Sequence, residues 1–284
     1  IEVHDLEKEA IKNFTLHFKQ DPQKDHSQQL DEQVANERDT EAIAISSNGQ
    51  RVLTGHKNGI MRLWDVETAR VIKNFEGLMT LVTAVAISPN GQWMVGGNSN
   101  GGLGVWEKDT GKRRQGFDRS HRQQVSVLTF APTGKYLLSG SYDGILKLWD
   151  AISGKEIRQL TGHWGPIRTA VFSPDGRKIL SGGMDNQVIL WDVATGQPLQ
   201  ILKGHDSWVV SVGFSPDGQR AISGSYDGTT RLLDLNKGEM ICSIMSTEPD
   251  EKAQSKEGNY LFWTPDGYFD GSRESSQLLA IVKG

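Results

Sequence analysis

Three sets of residues in the chain have the composition of a hydrolytic triad. His121, Ser139 and Asp143 form the first, His163, Ser181 and Asp185 the second, and His205, Ser223 and Asp227 the third. A histidine that takes a proton from serine while an aspartate holds its ring is the arrangement that activates a hydroxyl for acyl transfer. Such chemistry needs one site at the focus of one pocket, whereas this set recurs down the chain. Trp149 follows the first set and Trp191 the second, and Leu233 stands at the same place after the third. The repetition assigns the sets to structure. Aspartate in a turn accepts a hydrogen bond from histidine, which meets serine, which in turn meets the indole N–H. Buried polar groups are tolerated when every member is paired. The set decays in earlier copies, which read Asn36, Thr54, Asn58, Trp64 and then Leu78, Gly96, Asn100, Trp106. Those copies are expected to depend more on apolar packing.

Other chemical grammars do not appear. No Gly-rich phosphate loop ends in Lys-Ser/Thr, no metalloprotease histidine pair lies on a helical pattern, and no cysteine cluster suggests zinc. Neither a catalytic residue nor a metal or cofactor site is therefore assigned. Cys242, between Ile241 and Ser243, has no catalytic setting, and Asp270 beside Phe269 has no acid–base partner in the pattern.

The elements that hold these residues follow a period. Turn-closing glycines fall at Gly49, Gly91, Gly134, Gly176, Gly218 and Gly267, at intervals of 42, 43, 42, 42 and 49 residues. Trp64, Trp106, Trp149, Trp191 and Leu233 each come 15 residues after one of the first five. Within a period every segment is β. Ile167–Phe172, Lys178–Ser181, Val188–Trp191 and Pro198–Leu202 read as four strands joined by Ser-Pro-Asp-Gly, Met184-Asp185-Asn186 and Ala194-Thr195-Gly196 turns. One such sheet cannot bury both faces; sheets stacked around an axis can.

Leu63-Trp64-Asp65, Leu148-Trp149-Asp150, Leu190-Trp191-Asp192, Gly162-His163 and Gly204-His205 resemble the WD40 repeat family over nearly the whole chain. The resemblance implies an all-β WD40 β-propeller, read as a single domain over residues 1–284 with inserted loops near 19–40 and 246–257. Five copies are complete. Ile1–Leu6, with His4 at the tryptophan position, and Ala10–Leu16 read as the last two strands of another copy. Tyr260–Trp263 with Tyr268-Phe269 read as the first two strands of a final copy, and Leu278–Val282 as its third. Five full and two partial copies favour seven blades; six, closed by an N-terminal outer strand, is the alternative. Ile1 at the start reads as the edge of a piece cut from something longer.

Lys+Arg of 31 against Asp+Glu of 35 leaves a net charge of −4, which argues against a surface that tracks phosphates. One cysteine writes no intrachain disulfide, and no apolar run of 18 residues is present. The expectation is a cytoplasmic protein that uses neither membrane nor nucleic acid. Propellers of the resembled family bind partners on the face carrying the turn just before the network aspartate. Lys57, Tyr142, Met184 and Tyr226 occupy that position, and Trp164 and Trp208 follow the network histidines in loops opening on the same face. These six are the candidate contacts for a protein or peptide, although the two tryptophans could equally pack over the turns beneath them. Leu261-Phe262-Trp263-Thr264-Pro265-Asp266-Gly267-Tyr268-Phe269-Asp270-Gly271-Ser272 is similar to the final repeat of bacterial WD40 proteins fused to a caspase-like peptidase domain. That likeness implies a scaffold or sensor module within a larger bacterial protein, with the propeller docked to another domain of its own parent. The competing reading is a propeller enzyme or small-ligand binder that uses the central channel.

Overall fold

The turns are closed by their own side chains. In the computed structural model, which describes residues 39–117, 120–246, 260–266 and 268–271, Ser173 Oγ donates to Asp175 Oδ1 at 2.6 Å. The same oxygen accepts the Lys178 N–H at 2.9 Å, and Asp175 Oδ1 accepts the Arg177 N–H at 3.0 Å. Gly176 supplies the left-handed conformation this turn requires, with φ of +69°. Ser46 with Asn48 and Ser215 with Asp217 repeat the device. At the following turn Gly228 is left-handed at φ +82°, and Asn186 takes the equivalent place at φ +64°, a conformation asparagine tolerates better than other side chains do.

The described residues divide into two units, one running to Phe130 with Ile152–Lys155 added, the other holding Ala131–Ala151 and the chain from Glu156 onward. In the first unit β1 (Thr40–Ile45), β2 (Arg51–His56), β3 (Met61–Asp65) and β4 (Val71–Phe75) form one antiparallel sheet in chain order. A second sheet holds β5 (Val82–Ile87), β6 (Trp93–Asn98), β7 (Leu103–Glu107) and the short β8 (Arg113–Arg114), and β9 (Val125–Phe130) packs beyond it. The core between the first two sheets joins Leu53, Met61, Leu63 and Phe75 to Val82, Val85, Met94 and Trp106. Glycine permits the approach: a Cβ on Gly55 would lie 2.5 Å from Val82 Cγ1.

In the second unit β10 (Tyr136–Ser141), β11 (Ile145–Asp150) and β12 (Glu156–Thr161) form an antiparallel ladder. Next comes a sheet of β13 (Ile167–Phe172), β14 (Lys178–Gly183), β15 (Val188–Asp192) and β16 (Pro198–Leu202). Then follow β17 (Val209–Phe214), β18 (Arg220–Ser225), β19 (Thr229–Asp234) and β20 (Glu239–Ser246). Leu180, Leu190 and Leu202 pack on Val209, Val212 and Leu233 between these two sheets.

The hairpin of β21 (Tyr260–Trp263) and β22 (Phe269–Gly271) corrects the sequence reading. Its two strands pair with each other, but β21 also runs antiparallel along β20, with Ser243 opposite Trp263 and Ser246 opposite Tyr260. It widens the last sheet to six strands instead of opening a new one. The eight-residue β20 exceeds the five of β16, and a long strand with an unmatched edge accepts another strand along it. The expected strands at Ile1–Leu6, Ala10–Leu16 and Leu278–Val282, most of the 19–40 loop and the 247–257 part of the second insertion lie outside the described residues.

Among the described residues, Ile222 and Ile43 are exposed where another copy buries its counterpart. Ile222 on β18 is 53% exposed, whereas Leu180, at the same place on β14, is fully buried. Ile43 on β1 is 46% exposed, against 6% for Val85 at the matching place on β5.

Candidate interaction surface

The His-Ser-Asp sets close in the interior. His163 Nδ1 lies 2.8 Å from Asp185 Oδ2 and its Nε2 lies 2.7 Å from Ser181 Oγ, and the Trp191 indole donates to that hydroxyl at 2.8 Å. Serine thus accepts from the indole and can donate to Nε2, which leaves Nδ1–H facing the carboxylate. Asp185 Oδ2 also accepts the Trp164 N–H at 3.2 Å, and Oδ1 accepts the Gln187 N–H at 3.2 Å. Ser181, His163 and Asp185 are all buried, so the geometry of a triad is present without a face for substrate. Burial pushes the Asp185 carboxyl up, but the His163 bond and charge and the two backbone N–H groups outweigh it and hold it below the ordinary range.

The third set repeats this around His205, 2.8 Å from both Asp227 Oδ2 and Ser223 Oγ. Thr229 Oγ1 adds a bond to Asp227 Oδ1 at 2.6 Å, and Leu233 fills the tryptophan position without an indole donor. In the remaining set the Trp149 indole donates to Ser139 Oγ at 2.9 Å, Asp143 Oδ1 accepts the Ile145 N–H, and His121 is buried in the other unit.

Asp227 and His205 make stability depend on pH. Burial raises the Asp227 carboxyl, but bonds from Thr229, His205 and the backbone lower it further, from 3.8 to about 2. Burial, stronger than the pull of Asp227, lowers the His205 pKa below its ordinary 6.5. Both folded values are depressed, so both contributions are present at neutral pH and fade on acidification. Stability is expected to fall first as pH drops below 6.5, where unfolded histidine gains the proton His205 resists. A second fall should come between 3.8 and about 2, and Asp227→Asn should shrink it. Urea midpoints from neutral pH downward give the measurement; a flat profile would reject the coupling.

In the early copies the structure replaces the expected partners. Asn58 is exposed and only caps its own turn through the Ile60 N–H. The polar core is His56 at the end of β2, whose Nε2 lies 2.9 Å from Thr54 Oγ1, itself accepting from the Trp64 indole at 2.8 Å. In the next copy Asn100 is exposed, and buried Asn98 donates to the Leu78 carbonyl at 2.8 Å while accepting the Asn100 and Gly102 N–H groups. Asn36 lies outside the described residues. The signal was available: eight residues before each tryptophan, serine or glycine gives way to His56 and Asn98 where the His–Asp pair is missing.

Above the buried set of the second unit lie large side chains in turns. Trp164 is 75% exposed, Tyr226 62% and Trp208 43%. The Trp208 and Tyr226 rings meet at 5.8 Å between centroids, tilted by 44°, and the Tyr226 N–H donates to the Trp208 carbonyl at 3.0 Å. Met184 is half-buried and its N–H donates to the Pro166 carbonyl at 2.8 Å. The Tyr142 hydroxyl accepts from Arg168, whose guanidinium carbon sits 5.8 Å from the ring centre. Lys57 belongs to the first unit, with its ammonium 3.4 Å from Asp39 and 3.6 Å from Glu41, and Asp39 foremost holds its pKa above the ordinary value. Arg168 is the residue sequence reasoning missed here; a cation where other copies carry Thr83, Ser126 and Val210 was its signal. Cys242 is buried on β20, and burial raises its thiol pKa.

The sequence profile of the WD domain, G-beta repeat, matches residues 36–65, 70–107, 112–150, 154–192 and 196–234. The chain belongs to the WD40 family. Its antiparallel sheets are those of a WD40 β-propeller, a fold that generally serves as a non-catalytic scaffold for binding proteins. Comparison with curated proteins finds no match. Each WD40 repeat matched after the first opens on the outer strand of one sheet and ends on the third strand of the next, as 154–192 spans β12 to β15. Repeat and sheet are therefore out of phase by one strand, which ties neighbours together covalently.

Proposed function

We propose that this WD40 protein is an interaction scaffold or sensor that binds protein or peptide through the turn cluster of Tyr142, Trp164, Met184, Trp208 and Tyr226. The observation that carries the reading is the Trp208–Tyr226 pair, two rings in mutual contact that remain 43% and 62% exposed. Rigid aromatic surface held in place before binding costs little entropy to use, and such residues dominate interface energetics. Lys57 is a contact of the first unit, presented by its turn. The likeness of residues 261–272 to the last repeat of bacterial propellers joined to a caspase-like peptidase supports a place for the module in a larger cytoplasmic bacterial protein, as its sensing or docking part. Exposed Ile43 and Ile222 support further blades over those faces, beyond the five complete copies.

The test is a capture of partners from the source organism, followed by calorimetric titration against single alanine variants of Tyr142, Trp208 and Tyr226. Losses of at least about 2 kcal/mol are expected at buried contacts, against about 0.5 kcal/mol for an unused loop. Each variant must keep the parent melting temperature. Unchanged affinity in all three would reject the surface, and a partner lost on trimming residues 19–40 would move it there.

A further inference from the structure

Resting on that reading of the surface, we propose that the partner segment is acidic, carrying a carboxylate for Arg168 beside an apolar side chain for Trp164 and Met184. Arg168 is the second residue of β13, half-buried, and its guanidinium is held at turn level by the Tyr142 hydroxyl and ring. A phenol oxygen fixes the group without neutralising it. The ion pairs described in this unit join Lys147 to Glu156, His163 to Asp185 and His205 to Asp227, and Arg168 belongs to none of them. Guanidinium has five N–H donors in a planar fork that fits a carboxylate with two parallel bonds, so most of its capacity remains for a ligand.

The first copy shows what the same two places look like when the charge is satisfied internally. Glu41 lies 23 residues before Trp64 and Lys57 lies 7 before it, the offsets that Arg168 and Met184 keep from Trp191. There the cation has its acid, with Lys57 3.6 Å from Glu41 and 3.4 Å from Asp39. In the fourth copy the cation stands on the strand and methionine takes the turn position, so neither place supplies an acid, and the neighbouring Asp185 is engaged by His163 and two backbone N–H groups. The apolar residues neighbour the cation along the backbone. Pro166, two residues before Arg168, accepts the Met184 N–H, and the Trp164 backbone N–H donates to Asp185 while its side chain is exposed. A partly desolvated cation near accessible apolar side chains selects an acidic residue flanked by a large apolar one, and rejects a basic segment by repulsion.

The experiment uses the full chain and a positional-scanning decapeptide library with Asp/Glu, Lys/Arg, Ser, phosphoserine and Leu/Trp varied at each place. Enrichment of Asp or Glu next to Leu or Trp is expected. For the best acidic decapeptide, Arg168→Gln should weaken binding about tenfold, raised salt should weaken it further, and Arg168→Glu should turn the preference toward Lys/Arg. Tyr142→Phe, which keeps the ring and drops the hydroxyl, should cost a smaller factor. Melting temperatures establish that each variant is folded. Peptides that bind with dependence on Trp164 but with no acidic preference, or equally well to Arg168→Gln, overturn this proposal and leave the surface reading standing. Preference for phosphoserine over both carboxylates also overturns it. Absence of any binding to the library, with Trp164→Ala silent, overturns both.

Discussion

Asp185→Ala is expected to destabilise the protein by about 2–4 kcal/mol. The carboxylate accepts from His163 Nδ1 at 2.8 Å, from the Trp164 N–H and from the Gln187 N–H, and its side chain is wholly enclosed. Alanine leaves those donors facing apolar protein, and frees the imidazole that Ser181 and the Trp191 indole are built around. Asparagine in the same place keeps an oxygen for some of the donors and should lose less. Asn100→Ala serves as the contrast. Asn100 is exposed, so its loss should stay within about 0.5 kcal/mol. Asn98→Ala should cost more than Asn100→Ala, because Asn98 is buried and bonds three backbone groups. Urea melts with unchanged m-values compare the variants. Equal losses at Asp185 and Asn100 would show that the network does not bear the stability assigned to it.

The second large effect is expected at Gly182. A Cβ there would lie 2.4 Å from Val209 Cγ1 and 2.9 Å from Val209 Cβ, with Thr169 Cγ2 at 3.1 Å. Val209 is fully buried and β-branched, so it cannot swing aside, and the two sheets must separate instead. Overpacking of this kind costs about 1–3 kcal/mol, more than the roughly 0.4–1 kcal/mol that alanine gains over glycine by restricting the unfolded chain. Gly224 occupies the same place one repeat later, and among the described residues its Cβ would meet only Ser211 Cβ at 3.9 Å. If a further blade covers the Ile222 face, Gly224→Ala should also lose stability; a neutral result would leave that face bare. A neutral Gly182→Ala would mean that the sheets do not pack as tightly as Gly182 and Val209 indicate.

Much of this was legible in the residues. The interval between turn glycines and the tryptophan 15 residues beyond each determine four short antiparallel strands per repeat, because turn chemistry and alternation act over a few residues. The strands expected at Ile167–Phe172 and Pro198–Leu202 have those bounds in the structure. The His163–Ser181–Asp185–Trp191 set could be written down from spacing, since repetition shows which residues share a role. Partners that replace a missing member were not legible, because His56 and Asn98 arrive from another position on the strand and only packing shows that they fill the space. Nor was the course of Tyr260–Trp263. Its pattern fits a strand in any sheet, and edge pairing depends on which sheet edge the chain meets in space, which here is that of β20. The same limit applies to Arg168. Its type and position stand in the sequence, but the Tyr142 clamp belongs to the preceding repeat, and only the tertiary structure brings the two together.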